Sequence, residues 1–137
     1  MRINQIKVEK AVQTLEALAS SYPEGFPSEW KGDISSFGAS VIQAGLLPSV
    51  LFFSEGDYRE TSRDNADDNT KQRRATLMKV VFDVISPVGS NQYSSPRPLL
   101  QYIRINLSKP DHDTLGEVTE AAIAVKMALR AFRFSKK

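Results

Sequence analysis

The chain contains no cysteine, and that absence removes disulfide scaffolds, zinc–thiolate ribbons and thiol nucleophiles together. It also fits a reducing compartment, and the cytoplasm is the expected location. There is a single histidine, His112, so a His-Glu-x-x-His metal helix is ruled out. A Gly-x-Gly-x-x-Gly loop, a Walker phosphate loop and a Gly-x-Ser-x-Gly elbow are all missing. No nucleophile and base stand at a recognisable spacing, so the expectation is a protein that is not an enzyme and carries no cofactor or metal. No apolar run reaches the length of a membrane span, and Met1 to Lys7 hold no apolar signal region, so no membrane association is expected.

Charge is nearly balanced. Eighteen Lys and Arg against sixteen Asp and Glu leave +2, too little to declare a nucleic-acid binder by sum, so the distribution of charge matters more. A length of 137 residues fits one domain, 1–137, with its own core.

The most apolar run is Gly45-Leu46-Leu47-Pro48-Ser49-Val50-Leu51-Phe52-Phe53. Gly45 can take positive φ and end a preceding helix, while Pro48, lacking an N–H, suits the first turn of a new one. A short helix wrapped by longer ones is expected here, with a buried strand as the competing reading. Before it, Val8, Val12, Leu15, Leu18 or Ala19, and Tyr22 recur at helical spacing from Ile3 to Ser21. Tyr22-Pro23-Glu24-Gly25-Phe26-Pro27 breaks that helix. Ser28-Glu29-Trp30 can open a turn, and Asp33, Ile34, Phe37, Val41 and Ala44 carry a second helix to Gly45. Trp30, the only tryptophan, is read as a core anchor.

Beyond Phe53 the character changes. Residues 57–70 are almost wholly polar and are expected to form a mobile surface loop. Its Asp64, Asp67 and Asp68 lack the spacing of a calcium loop and suit the positive end of the next helix. That helix runs from about Asp68 to Ile85 through Leu77, Val80, Val81, Val84 and Ile85, and Ser86-Pro87-Val88-Gly89 stops it. A fifth begins with Pro98 at its first position and continues through Leu99, Leu100, Ile103 and Leu107. His112 is read as an exposed turn residue. Asp113 is a plausible cap for the last helix, with Thr114 and Glu117 as an alternative capping box, and the helix is expected to reach Phe134. An all-α, single-domain bundle of about six helices follows from this periodicity.

The residues that suggest function are basic. At helical spacing Lys126, Arg130, Arg133 and Lys137 form one cationic stripe with no acid in it. Cations at a helix C-terminus complement the dipole, and a stripe of them also suits phosphates, neutralising a backbone without reading bases. Lys71, Arg73, Arg74 and Lys79 form a second cluster near the start of the fourth helix, where cations oppose the dipole. Arg73 and Arg74 are expected to lay their stems on the core edge with their heads outward. On the last helix Val118, Ala122, Val125, Leu129 and Phe132 make one apolar face, while Ile123, Met127 and Phe134 lie nearly opposite. Either neighbours flank this helix on both sides, or Ile123, Met127 and Phe134 dock a partner subunit.

Three segments carry a resemblance to a family. The opening helix from Ile3 to Ser21, the Gly45-Leu46-Leu47-Pro48 corner running into Val50-Leu51-Phe52-Phe53, and the closing helix around Glu120-Ala121-Ala122 and Val125-Lys126-Met127-Ala128-Leu129-Arg130 make the chain similar to the small, all-helical subunit of type III-B CRISPR RNA-targeting effector complexes, the Cmr complexes. The resemblance implies a non-catalytic subunit in antiviral defence. Such a subunit would stack beside larger backbone subunits, with self-association in the assembly, and help hold guide RNA and target RNA, leaving cleavage to other subunits. On this reading Lys126, Arg130, Arg133, Arg73, Arg74 and Lys79 would meet RNA. A helical protein–protein adaptor without nucleic acid is the alternative. A helical DNA-binding regulator ranks lower, because the helix after Gly45 is too apolar for a groove.

Overall fold

A computed structural model describes residues 5–54, 66–85 and 97–134, giving the backbone alone for 66–69. The fold is an all-α, single-domain bundle, and the described residues form six helices: α1 (Gln5–Leu18), α2 (Glu29–Ala44), α3 (Leu46–Phe53), α4 (Ala66–Ile85), α5 (Pro98–Asn106) and α6 (Thr114–Leu129). A single 3₁₀ turn, Ala19–Ser21, follows α1. Most of the expected 57–70 loop lies outside the described residues. Its last part does not: α4 already begins at Ala66, placing Asp67 and Asp68 in its first turn.

α6 is the axis of the bundle, packed against α1, α4 and α2. Its composition explains how. Ala121, Ala122, Ala124 and Ala128 are all buried, and with only a methyl group each they let three neighbouring backbones approach one helix. Val118, Val125 and Leu129, also buried, supply the larger contacts. Lys7 near the start of α1 reaches Glu120 (3.4 Å), and Tyr22 just past its end lies with Phe132 around one depression. α1 and α6 therefore run side by side in the same direction.

The corner at Gly45 is real. Its φ of 101° is one that side-chain-bearing residues rarely adopt, and its N–H donates to the Val41 carbonyl (3.0 Å) to close α2. Ser49 donates to the Gly45 carbonyl (2.8 Å) and shares a 2.6 Å hydrogen bond with Ser40, so the corner is pinned from both sides. The run that follows is helix, not strand. Leu46, Val50 and Phe53 turn inward while Leu51 and Phe52 remain half exposed.

The break after α1 folds back as an aromatic cluster. Phe26 stacks on Trp30 (5.2 Å between ring centroids) and meets Phe132 edge-on (5.5 Å), and Tyr22 meets both Phe26 and Trp30. Trp30 is fully buried, and its indole N–H donates to the Arg73 carbonyl (3.1 Å), so the ring is satisfied at both its apolar body and its polar edge. Fully burying a side chain of this kind contributes about 1.5–3 kcal/mol.

The last helix is shorter than its sequence suggests. α6 ends at Leu129 rather than Phe134. The N–H groups of Arg130, Ala131 and Phe132 turn to carbonyls three residues back, and the chain then extends so that Phe134 forms a parallel bridge with Phe26. The Phe26 N–H donates to the Arg133 carbonyl (3.0 Å). No glycine or proline stops the helix; packing of Phe132 and Phe134 against the aromatic cluster does.

Candidate nucleic-acid and subunit interfaces

The early termination of α6 splits the expected cationic stripe. Lys126 remains on the helix, Arg130 caps its end, and Arg133 sits on the extended segment beyond it. Lys137 lies outside the described residues. Lys126, Arg130 and Arg133 are all exposed, and among the described residues none of the three side chains has an acidic partner. Arg133 borders a shallow depression of about 310 Å³ formed with Tyr22, Phe26 and Phe132. Lys126 borders a different one, between α2 and α6.

The second basic cluster is arranged otherwise. Arg73 does not face outward: its Nε donates to Asp33 Oδ2 (2.7 Å) and its Nη2 to Oδ1 (3.2 Å), a two-point grip on a carboxylate that is 7% exposed. The hydrogen bonds that Arg73 donates to Asp33 hold its guanidinium above its usual range, against the opposing effect of burial. Arg74 lies over Phe52 (5.2 Å to the ring centroid) and Phe53 (5.5 Å), a cation–π arrangement, with Asp33 Oδ1 3.9 Å away. Its buried Nε has no hydrogen-bond partner. Lys79 grips both oxygens of Asp83, one turn further along α4 (2.7 and 2.9 Å). The expectation that the Arg73 and Arg74 heads point to solvent is thus corrected, because Asp33 reaches them from α2.

The expected partner face of α6 also divides. Phe134 packs against the domain's own core, with the Lys31 ammonium 4.6 Å over its ring. Ile123 is half-buried in the wall of the α2–α6 depression, and Met127 is exposed. Neighbouring helices bury half of α6, and beyond its first turn Thr119, Glu120, Ile123, Lys126 and Met127 remain at the surface or partly so, as do Leu115, Gly116 and Glu117 within that turn.

Sequence spacing misread one residue altogether. His112 is half-buried, not a solvent-exposed turn residue: its Nε2 lies 3.2 Å from Tyr102 Oη and 3.3 Å from Glu117 Oε1, and its Nδ1 lies 2.7 Å from Thr114 Oγ1. Tyr102 in turn donates to Glu117 (2.5 Å). Glu117 is therefore engaged with α5, and Asp113 caps α6 by accepting from the Gly116 N–H (3.0 Å). The cluster fastens α5 to α6, and since Thr114 is 2% exposed its hydroxyl is closed to a substrate.

Among the described residues no group of three or more His, Asp or Glu side chains could hold a metal ion, and no helix is long and apolar enough to cross a membrane. What the described surface offers is cationic side chains with no internal acid, and an apolar depression with one cation at its rim. No protein-family model, no curated protein and no solved structure matches the chain.

Proposed function

We propose that the chain is a non-catalytic helical subunit of an RNA-guided effector complex of the type III-B CRISPR kind that it resembles in sequence, holding guide or target RNA through phosphates. One observation carries the reading: Lys126, Arg130 and Arg133 are exposed at the end of α6 with no acidic partner among the described residues, whereas Arg73 and Lys79 are met by Asp33 and Asp83. The phosphate contacts are accordingly drawn from the α6 end, with Arg74 a lesser contributor. Arginine suits phosphate through its planar fork of donors, and such contacts position RNA without reading its sequence. In this role the subunit serves antiviral defence by stabilising the assembled ribonucleoprotein.

The test uses the complex purified through a tag on this chain. Reversing Lys126, Arg130 and Arg133 to Glu together should leave assembly intact, weaken target-RNA retention, and lower the slope of log affinity against log salt by about one per lost contact. Unchanged affinity and slope in a normally assembled complex would refute the RNA reading. The second reading, a protein-binding adaptor, would then stand in front, and the apolar depression between α2 and α6 is the observation that favours it.

A further inference from the structure

Between α2 and α6 lies an open groove of about 360 Å³. Lys31, in the first turn of α2, stands over Phe134, just past the end of α6, so the two helices run in opposite directions along it. Its walls, Ser35 to Ile42 and Thr119 to Lys126, are matched stretches of helix about 10 Å long. The floor is apolar, lined by the buried Phe37, Val41 and Ala122. It lies low at mid-length because Gly38 carries no side chain, and a β-carbon added there would meet nothing within 4 Å. Ile42, at 86%, has the highest exposure of any large apolar residue described, and it stands at the rim.

The polar side chains of the lining are all at its ends. Lys126 and Ser35 share one end, and Thr119 stands at the other. Among the described residues none of the three has an acidic or hydrogen-bonding partner for its side chain. An apolar trough with a few uncommitted polar heads is the usual make-up of a small-molecule site. The one charge is positive, so the fitting occupant has an anionic head and an apolar body. Spread along about 10 Å, the groove volume gives a cross-section of roughly 35 Å², room for an alkyl chain and too narrow for a helix, which is about 10 Å across. An extended peptide would set an N–H and a C=O at every residue against a stretch with no side-chain donor or acceptor, and groups left unpaired in this way weaken binding. An alkyl chain has no such groups.

We propose that the α2–α6 groove binds a free medium-chain fatty acid, with the alkyl chain along Gly38 and Ala122 and the carboxylate accepting from the Lys126 ammonium and the Ser35 hydroxyl. The alkyl chain covers the exposed Ile42 and the half-buried Ile123. Occupancy engages Lys126, leaving Arg130 and Arg133 to the phosphates. The inference requires no RNA and stands independently of the RNA reading.

Heteronuclear NMR of the nuclease-treated, delipidated chain, titrated with sodium octanoate, supplies the test. Saturable shifts should be confined to residues 34–42 and 119–126, with a dissociation constant of about 1 mM, the scale set by a ligand of about ten non-hydrogen atoms. Butyrate keeps the head without the tail, and octanol the tail without the charge. Each should bind about tenfold more weakly than octanoate. Lys126→Met, at an exposed position, should lower octanoate affinity to that of octanol and leave octanol binding unchanged. Gly38→Leu, where the added side chain has room, should fill the groove and abolish both. Circular dichroism checks that the variants are folded. Octanoate that gives no saturable shift would overturn the proposal and return the groove to the protein-adaptor reading. Equal binding of octanoate and butyrate would also overturn it, as the site would then serve small anions alone, and so would octanoate binding that survives Gly38→Leu in a folded chain.

Discussion

Arg73 and Asp33 stand 40 positions apart in the chain and are joined by two hydrogen bonds of 2.7 and 3.2 Å across the α2–α4 contact. The backbone carbonyl of the same arginine accepts from the Trp30 indole. One arginine thus fixes both a charge and an aromatic ring. A cationic residue that looked free to bind phosphate is instead part of the scaffold.

Removing one partner strands the other. Arg73→Ala should destabilise the domain by about 3 kcal/mol, because the buried Asp33 carboxylate loses both of its Arg73 hydrogen bonds and keeps only the longer 3.9 Å approach of Arg74. Asp33→Asn keeps a hydrogen-bond acceptor and should cost less. Chemical denaturation of the two single variants checks the order, and equal losses would show that the charge of Asp33 does not matter.

Lys10 sets a pH dependence. Burial pushes its ammonium below the usual lysine value, and nearby Asp83 only partly counters this. The unfolded chain therefore binds more protons than the folded one between the lowered value and the usual one, so stability should rise with pH across that alkaline window. Lys10→Met should flatten the rise. It should also stabilise the fold at neutral pH by up to about 1 kcal/mol, as a buried donor without a partner is removed. Thermal melts of both proteins across the alkaline range measure the difference.

The Asp113 cap excludes a side chain at Gly116. A β-carbon there would collide with the Asp113 carboxylate, so Gly116→Ala should displace the cap although alanine is the better helix former. A loss of about 1 kcal/mol, close to that of Asp113→Ala, is expected in urea titrations. Stabilisation by Gly116→Ala would show that the cap contributes nothing.

Phe134 and Met127 should separate cleanly. Phe134→Ala removes a ring packed on the core and bridged to Phe26, and should cost about 2 kcal/mol in the isolated chain. Met127→Glu, at an exposed position, should stay within about 0.5 kcal/mol of wild type. Equilibrium unfolding of the two variants decides the comparison.

Much of the fold was legible in the chain itself. Apolar residues at helical period announced α1, α2 and α4. Gly45 and Pro48 marked the corner into α3, Pro98 marked the start of α5, and Asp113 marked the start of α6. These signals are local, arising from backbone freedom, a missing N–H or a cap within one turn, so neighbouring residues contain them. The end of α6 carries no such signal. Arg130-Ala131-Phe132 would continue a helix, and only the distant Tyr22–Trp30 aromatic cluster draws Phe132 and Phe134 away from it. The engagement of Arg73 with Asp33, of His112 with Tyr102 and Glu117, and of Ile42 with Ile123 and Lys126 around one groove depends likewise on which helices pack side by side. Helical spacing says which residues share a face of one helix. Which face, charge or ring lies opposite is set by side-chain volumes and tertiary packing, and that pairing determined which of the basic residues remain available at the surface.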